Sequence, residues 1–427
     1  MVTFQATDMT HASVPVATET IHHGTPAFRR TNLALFAAGF ATFGLLYCVQ
    51  PLMPEFSDDY GVSAAVSALS LSLTTGVLAF AMLFAGALSD AWGRKRVMVA
   101  SLLSSALLVL LSAMMPNWAS LLAVRTLLGL TLSGLPAVAM TYLSEEMHVE
   151  SIGLGMGLYI SGSAVGGMGG RLITGVLTDF FDWRIGVAVV AVIGLLAAWI
   201  FSRALPPSRH FVAQPLRWRL LMGRFSGMFH DRGLPWLFVE GFLLLGAFVT
   251  VYNYLGYRLL APPYSLSQAV VGLIFGIYLV GTFSSAWMGH LAGKLGRRKV
   301  LWTALALMLV GVVLTMMEPL WLIMLGVVAV TFGFFGGHSI VSSWIGRRAG
   351  AAKAQAASVY LFCYYMGSSI AGASGGLFYA SWGWNGVALF VGALVLAGLL
   401  IALWLIRLPP LVNVATPPTP MSQGAMP

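Results

Sequence analysis

Four ionisable side chains lie inside long apolar stretches of this 427-residue chain: Arg125, Arg171, Glu240 and His338. A charge is costly in a stretch that crosses a membrane, so each of these residues is a candidate for function. Carboxyl and imidazole groups can bind and release protons when their surroundings change. We predict that Glu240 is the main proton-coupling residue and that His338 is accessory to it, and we include Arg125 in the same set.

Each of these residues also has a structural alternative. Glu240 lies about 9 Å into its apolar stretch if the stretch is helical, so it could sit at the membrane interface. His338 could be hydrogen-bonded to the backbone, and Arg125 could be a hydrogen-bond anchor between helices. Arg171 could bridge to Asp179, two turns further on, and we assign it a structural role.

A second group of polar and aromatic side chains in the apolar stretches could line a cavity. Aromatic rings with a few polar groups suit apolar or cationic molecules, which they bind by stacking and by cation–π contacts. Alternatively, tyrosines near helix ends form the aromatic belt of a membrane protein, and we prefer this interpretation for Tyr257. The predicted cavity residues are Tyr47, Gln50, Arg125, Asn253, Tyr254 and Tyr364.

The composition excludes a water-soluble domain. Apolar residues make up 58% of the chain and charged residues 9%, whereas soluble domains carry about 25% charged residues. We therefore predict an all-α transmembrane protein whose surface faces the lipid bilayer. Cys48 and Cys363 lie in apolar stretches and indicate no disulfide. No residues have the spacing of a metal site, a nucleophile with its base or a phosphate-binding loop, so we predict neither an enzyme nor an ATP-driven pump.

Twelve apolar runs have the length of a membrane-spanning helix, which is about 20 residues. We predict a disordered tail (1–28), a six-helix bundle (29–203), a basic linker (204–233), a second six-helix bundle (234–407) and a disordered Pro-rich tail (408–427). Most of the 23 Lys and Arg residues lie on one face of this arrangement. The positive-inside rule then places both termini in the cytoplasm and accounts for the basic linker without a nucleic-acid partner.

A short polar segment, Gly86–Arg96, recurs in the second half as Gly289–Lys299. Both copies follow the pattern G-x-L-[SA]-x-x-x-G and then three cations. Such a basic hairpin, present once in each half, suggests that a six-helix unit was duplicated. The second copy differs in one important position, because Gly293 stands where the first copy has Asp90.

The Gly86–Arg96 segment resembles the signature between the second and third helices of the major facilitator superfamily. The resemblance implies a 12-helix fold of two six-helix repeats, with the cavity between the repeats. In that family the signature loop is tied to the fourth and eleventh helices. The residues that carry the resemblance are Gly86, Leu88, Asp90, Gly93, Arg94 and Lys95.

The resemblance also implies a conformational lock on this loop. Asp90 is expected near Lys353, at the start of the eleventh helix, and Arg94 is expected to pair with Glu145 or Glu146. Alternatively, the cations only set the topology. Because Gly293 replaces the acid, we expect no equivalent lock in the second half. The predicted lock residues are Gly86, Asp90, Gly93, Arg94, Glu145 and Glu146.

Two further patterns resemble drug–proton antiporters of the superfamily. Arg125–Gly129 matches an R-x-x-x-G pattern of the fourth helix. Gly162, Gly166 and Gly170 recur every four residues in the fifth run, which leaves one helix face bare and permits close packing. Packing without a role in coupling is the alternative. A diluted version occurs in the eleventh run at Gly367, Ala371 and Gly375.

Over residues 26–407 the chain is similar to the YnfM-type group in the drug and arabinose efflux branch. This similarity implies proton-driven export of small organic molecules by a monomer in the bacterial inner membrane, without a bound cofactor. It leaves the substrate open. Multidrug efflux is the first interpretation, sugar or metabolite export the second and uptake the third, and a membrane sensor is the non-transport alternative. The segments that carry the similarity are Leu46–Pro54, Met140–Glu146, Trp344–Arg348 and Gly367–Gly372.

Overall fold

The computed structural model describes residues 20–211, 213 and 231–408 of the chain. Nearly all of these residues are helical, and the isolated β-bridge among them joins Ile21 to Met147. The all-α prediction is therefore confirmed for the part of the chain that the structure describes.

The first half of the chain forms six long helices, which alternate in direction. They are α1 (Pro26–Tyr60), α2 (Ala64–Trp92), α3 (Arg94–Ser112), α4 (Trp118–Glu146), α5 (Val149–Thr178) and α6 (Trp183–Ala204). Three of them contain a local irregularity. α1 passes through a 3-10 turn at Gln50–Leu52, α2 is interrupted at Ala68, and α4 is interrupted at Ser133.

The second half begins with four separate helices and ends with one long helical run. The helices are α7 (Leu234–Leu260), α8 (Gln268–Leu295), α9 (Arg297–Leu314) and α10 (Leu320–Arg348). The run Lys353–Ile406 leaves helical geometry at Trp382 and Gly383, where φ is +56° at the glycine. This φ is easily adopted only by glycine, and it divides the run into α11 (353–381) and α12 (384–406).

Nine stretches of the described residues are long and apolar enough to cross a membrane. α5 and α9 are outside this set, and α11 and α12 count as a single stretch. Large apolar side chains such as Phe283, Leu377 and Leu389 are exposed on the outer surface, as expected of a surface that faces lipid. The transmembrane architecture is confirmed, while twelve crossings and cytoplasmic termini stay predictions.

The predicted tails and linker fall largely on residues 1–19, 212, 214–230 and 409–427, which lie outside the described residues. The described parts pack against the bundle. Ile21 donates its backbone N–H to the Glu146 carbonyl at 2.8 Å, and α1 begins at Pro26. Described residues before Pro26 therefore already contact α4, and the domain bounds stay predictions.

The two ends of the bundle carry opposite charges. One end, the basic face, contains the α2–α3 and α8–α9 connections with Arg94, Lys95, Arg297 and Arg298. The other end, the acidic face, contains the α1–α2 and α5–α6 connections with Asp58, Asp59, Asp179 and Asp182. This is the asymmetry from which the positive-inside rule predicts orientation.

The predicted glycine face of α5 lies directly against the backbone of α1. A Cβ atom added to Gly166 would lie 2.0 Å from the carbonyl oxygen of Phe40, and Gly162 and Gly170 are similarly close to α1. The same packing recurs in the second half, where a Cβ on Gly367 would lie 2.0 Å from a carbonyl oxygen of α7. Only glycine allows this approach, so the spacing of four builds one tight helix pair in each half.

The irregular turn in α1 is supported by side chains from other helices. Pro51 and Pro54 have no N–H to donate, so helical hydrogen bonds are missing around them. Backbone polar groups need replacement partners when no water is present. The carbonyls of Leu46, Cys48, Pro51 and Met53 accept hydrogen bonds from Arg125, Thr174, Gln268 and Tyr257, respectively.

Candidate functional site

The two halves meet at the turn in α1 through a chain of three hydrogen-bonded side chains. Arg171 of α5 donates from Nε to the side-chain oxygen of Gln50 at 2.7 Å. Gln50 donates from Nε2 to Oδ1 of Asn253 in α7, also at 2.7 Å. All three side chains are buried. We call Arg171, Gln50 and Asn253 the junction chain, because it connects the first half to the second.

The guanidinium group of Arg171 lies among aromatic rings. Its Cζ atom is 4.1 Å from the ring centroid of Tyr47, 4.7 Å from that of Tyr278 and 5.2 Å from that of Phe275. These are cation–π distances. Arg171 forms no ion pair with any described residue, so the predicted bridge to Asp179 is wrong. The rings and Gln50 hold the guanidinium at the junction instead.

Arg125 of α4 is fully buried and acts on the backbone of two other helices. Its Nε donates to the carbonyl of Ser70 at 2.9 Å, and its Nη2 donates to the carbonyl of Leu46 at 2.8 Å. Thr74 returns a hydrogen bond to the carbonyl of Arg125 at 2.9 Å. This geometry matches the alternative of an anchor between α1, α2 and α4. A role for Arg125 in coupling or in the cavity stays a prediction.

The predicted cavity residues are brought together only in part. Tyr47 and Gln50 contact Arg171, and Asn253 is hydrogen-bonded to Gln50. Tyr254 instead donates its hydroxyl to the carbonyl of Gly372 at 2.8 Å, inside the second half.

Tyr257 does not belong to an aromatic belt, and our preferred interpretation of it is corrected. Its hydroxyl donates to the carbonyl of Met53 at 2.7 Å and lies 2.7 Å from the Ser57 hydroxyl. Both partners belong to α1. Tyr257 therefore connects the two halves near the acidic face, one helical turn beyond Asn253 of the junction chain.

Glu240 is buried inside the second half, away from the junction chain. The side chain is 0% exposed, and neither carboxyl oxygen has a hydrogen-bond partner among the described residues. The carboxyl group points toward α12, where a Cβ on Gly398 would lie 3.0 Å from Oε2 and 3.5 Å from the Leu305 side chain of α9. The interfacial alternative is therefore not what the structure shows.

His338 of α10 is hydrogen-bonded to Tyr360, a residue that was not among the predicted site residues. Its Nδ1 lies 2.7 Å from the hydroxyl of Tyr360 in α11, so the alternative of a backbone hydrogen bond is corrected. The ring of Tyr360 packs on Gly241, next to Glu240 in the chain. Tyr364, one turn further along α11, has its ring centroid 4.7 Å from that of His338.

Arg94, at the start of α3, is the centre of the ion pairs at the basic face, where the sequence predicts a conformational lock. Its guanidinium binds both carboxyl oxygens of Glu145, with Nε–Oε2 at 3.1 Å and Nη2–Oε1 at 2.7 Å. Its Nη1 donates to Asp90 and, at 2.6 Å, to the Ser89 hydroxyl. Such a two-point pair fixes both position and orientation. The contact between Asp90 and Lys353 stays a prediction.

The backbone of the signature turn explains one predicted glycine and not the other. Gly93 has φ of +95°, and its counterpart Gly296 has φ of +91°. These values favour glycine at both connections. A Cβ on Gly86 would meet nothing within 4 Å, so no close approach requires a glycine there.

Glu146 pairs with the linker and not with Arg94. One carboxyl oxygen accepts the backbone N–H of His210 at 2.9 Å, and the other lies 3.1 Å from His210 Nδ1. Nearby, Tyr142 donates to the carbonyl of Pro206 at 3.0 Å. The Arg94 guanidinium also lies 5.5 Å from the ring centroid of Phe211. The start of the linker thus packs on the first-half lock.

In the second half, Gly293 replaces the acid of the α8–α9 connection, and Arg297 has a neutral partner in place of a carboxylate. Arg297 donates from Nε to the Ser343 hydroxyl at 3.2 Å. A different ion pair stands nearby: Asp231, before α7, accepts from Arg348 at the end of α10. Asp231 is partly buried, which raises its pKa, but hydrogen bonds from Arg348 and from two backbone N–H groups outweigh burial, and the pKa is lowered.

This helical architecture has counterparts among known proteins. The profile of the Major Facilitator Superfamily matches residues 35–265 and 243–423. The chain belongs to the major facilitator superfamily.

Two relatives resemble this transporter over nearly their whole length. The inner membrane transport protein YnfM of Escherichia coli (strain K12) is 50% identical over 396 residues, which cover 93% of this chain and 95% of YnfM. The MFS-type transporter YybF of Bacillus subtilis (strain 168) is 47% identical over 385 residues, covering 90% and 94%. The crystal structure of a mutant of the nucleoside transporter NupG has a TM-score of 0.72 at 15% identity, covering 88% of this chain and 100% of that one.

These findings establish what kind of protein this is. The chain is a multi-pass transporter of the inner membrane and a secondary carrier of a small substrate. It is not an enzyme. Likeness to the solved structure, at 15% identity, shows that this major facilitator transporter shares its fold.

Three residues of this transporter site were missed or undervalued from the sequence. Tyr360 stands four residues before Tyr364, a helical spacing that would have placed both rings on one face of α11. Nothing in the sequence around Tyr278 indicated a functional role, because its role depends on a contact with Arg171, which belongs to the first half of the chain. Arg171 was noticed, but its partners come from distant positions that spacing cannot reveal.

Proposed function

We propose that this transporter exports small organic molecules in exchange for protons. The observation that carries the proposal is Glu240, a fully buried carboxyl group without a hydrogen-bond partner among the described residues. An ionised carboxylate is strongly disfavoured in such surroundings. A carboxyl group that gains water in one conformation and loses it in the other binds a proton on one side of the membrane and releases it on the other.

The contacts between the halves support a cycle of two conformations. The junction chain and Tyr257 join the halves from the turn in α1 toward the acidic face. At the basic face, the described ion pairs Arg94–Glu145 and Asp231–Arg348 each stay within one half. This supports a state closed at the acidic face, which the positive-inside rule assigns to the outside of the cell. Opening that face requires breaking the junction chain.

His338 and Tyr360 extend the proposed proton site toward the aromatic side chains. Tyr360 packs beside Glu240 at Gly241 and donates or accepts at His338 Nδ1. A hydroxyl and an imidazole in this order can pass a proton between them. In this proposal the transporter works as a monomer, needs no bound cofactor and draws its energy from the proton gradient.

The first test identifies a compound. An efflux-deficient bacterial host expressing the transporter is grown on a panel of toxic compounds and on inhibitory sugars. Protection against one or more toxic compounds supports drug efflux. Protection against sugars alone supports the second candidate, sugar export. No change in growth across the panel contradicts export of either kind.

The second test measures coupling in inverted membrane vesicles that are acidified inside and contain a pH-sensitive dye. A compound that protects cells is added, and proton exit from the vesicles is recorded. We expect proton exit with the wild type and with Glu150→Gln, an exposed carboxylate control, and its loss with Glu240→Gln. An undiminished signal in Glu240→Gln removes Glu240 from the mechanism, and a silent wild type that still exports the compound removes proton coupling.

A further inference from the structure

The buried layer where the halves meet is positively charged, and no carboxylate among the described residues pairs with it. Arg171 is buried and forms no ion pair with the described residues. Its two hydrogen bonds, from Nε to Gln50 and from Nη1 to the carbonyl of Gly167 at 2.7 Å, go to neutral groups. Glu240, the buried carboxyl group of the second half, points toward α9 and α12 instead. The charge of Arg171 is thus uncompensated at the junction.

The aromatic rings at this layer already face a cation. Tyr47 and Tyr278 lie 4.1 and 4.7 Å from the Arg171 guanidinium, and Phe275 lies 5.2 Å from it. The negative faces of these rings are therefore used by the protein itself. A cationic substrate would compete with Arg171 for the rings and be repelled by its charge. Of the two kinds of molecule expected to suit these rings, apolar and cationic, the contacts of Arg171 therefore disfavour the cationic kind.

Unused hydrogen-bond donors surround the same layer. The Tyr278 hydroxyl and the Asn253 Nδ2 amide are buried without partners among the described residues. Asn253 Nδ2 and the unpartnered Ser72 hydroxyl lie 3.2 and 3.4 Å from the position that a Cβ on Gly372 would occupy, so both groups lie close to the same point beside the glycine. The exception is an unpartnered acceptor, the side-chain oxygen of Gln268. A group that accepts several hydrogen bonds and carries negative charge matches this environment.

We propose that the substrate is an organic anion, a compound with an apolar or aromatic body whose carboxylate or phosphate group is bound by Arg171 together with Tyr278 and Asn253. This inference rests on the proposed function in so far as a small organic molecule is carried. It specifies the charge of that molecule and names the residues that recognise it. Because the interior of the cell is electrically negative, the membrane potential favours export of an anion.

The test is a binding measurement on the purified full-length protein in detergent, without any proton gradient. Four probes share one apolar body: 2-naphthoate, 2-naphthyl phosphate, neutral 2-naphthamide and cationic 2-naphthylmethylammonium. We expect one or both anions to bind at least about tenfold more tightly than the amide and the cation, because an anion gains charge-assisted hydrogen bonds. The two anions distinguish a carboxylate from a phosphate substrate.

The residue is tested with Arg171→Gln and with a matched control, Arg184→Gln. Arg184 lies at the acidic face in partly exposed ion pairs with Asp59 and Asp182. We expect Arg171→Gln to lose the preference for anions and Arg184→Gln to keep it. Arg171→Lys retains the charge and is expected to keep part of the preference for anions. If Arg171→Gln does not fold, Arg171→Lys is measured in its place.

The proposal is overturned if the cation binds most tightly, if no anion binds more tightly than the amide, or if Arg171→Gln keeps the anion preference. Wild-type selectivity decides the substrate class even when a variant is unstable. Since binding is measured without a gradient, a failure of proton coupling at Glu240 leaves this result unchanged. The two proposals can therefore fail separately.

Discussion

The two halves of the transporter hold their buried charges in different ways. In the first half, Arg125 donates to backbone carbonyls of two helices, and Arg171 is bonded to Gln50 and surrounded by rings. In the second half, Glu240 is equally buried, and its oxygens have no partner among the described residues. Buried charge alone therefore does not identify a coupling residue. The partners decide whether the charge holds the structure together or is available to respond to a change of conformation.

The strongest test of this difference is the substitution Arg125→Met, which keeps a long apolar side chain and removes the donors. Carbonyls in two helices, those of Ser70 in α2 and Leu46 in α1, lose a partner in surroundings without water. We expect the free energy of unfolding to fall by about 2–6 kcal/mol, because each of the two buried carbonyls left without a partner costs about 1–3 kcal/mol. Thermal unfolding of the purified protein in detergent measures the change.

Two further variants make the comparison complete. Arg184→Gln breaks partly exposed ion pairs and is expected to cost about 1 kcal/mol or less. Glu240→Leu removes the unpartnered carboxyl of the second half and is expected to leave stability unchanged or to raise it. If Arg125→Met unfolds at the same temperature as Arg184→Gln, the hydrogen bonds of Arg125 do not stabilise the fold, and the proposed difference between Arg125 and the unpartnered Glu240 is wrong.

The basic face offers a second comparison, between Arg94 and its counterpart Arg297. Arg94 binds a carboxylate at two points, whereas Arg297 has a single hydroxyl partner at 3.2 Å. We expect Glu145→Gln to slow export by about tenfold, because loss of a pair worth about 1–2 kcal/mol shifts the balance between conformations by that factor. Arg297→Gln is expected to change the rate by less than about twofold.

Export rates in the screening host, corrected for the amount of protein in the membrane, measure both variants. Glu146→Gln is the matched control, because its carboxylate binds His210 of the linker and not Arg94. Equal loss in Glu145→Gln and Arg297→Gln would show that both connections lock the transporter alike. The asymmetry inferred from Gly293 would then be incorrect.

Features that depend on local spacing were predictable from the sequence. The apolar runs predicted the helices. The recurrence of Gly162, Gly166 and Gly170 predicted a helix face without side chains, and in the structure this face packs against α1. The sequence predicted that Arg94 pairs with Glu145 or Glu146, because both acids lie at the end of α4. It could not distinguish them, because the choice depends on the linker, where His210 binds Glu146 and leaves Glu145 for Arg94.

Features that depend on contacts between distant segments were not predictable. Asp179 was considered as a partner of Arg171 because that acid is close in sequence, yet the partners of Arg171 include residues of α1 and α8. Tyr257 was assigned to the membrane interface because it lies near a helix end. The turn at Pro51 and Pro54 exposes carbonyls for it to bind, and a proline pattern does not reveal which side chains will fill them.

The smallest expected effect concerns the ion pair of the second half, Asp231–Arg348. The pKa of Asp231 is lowered in the folded protein, so this carboxylate stabilises the fold at pH values above its unfolded pKa of about 3.9. The contribution is lost as the pH falls through the lower, folded pKa. Because Asp231 is partly exposed, we expect at most about 1 kcal/mol after solvent screening.

Unfolding temperatures of the wild type and Asp231→Asn at pH 7 and near pH 3 measure this contribution. Asp231→Asn is expected to be slightly less stable than the wild type at pH 7 and to approach it in acid. Arg348→Gln should behave likewise at pH 7, and the double variant should add little, since each substitution removes the same pair. A difference between wild type and Asp231→Asn that is equal at both pH values would mean that this pair does not hold α7 to α10. The second half would then have no ion pair at its basic face comparable to that of Arg94, and the asymmetry between the halves would be larger than the distances indicate.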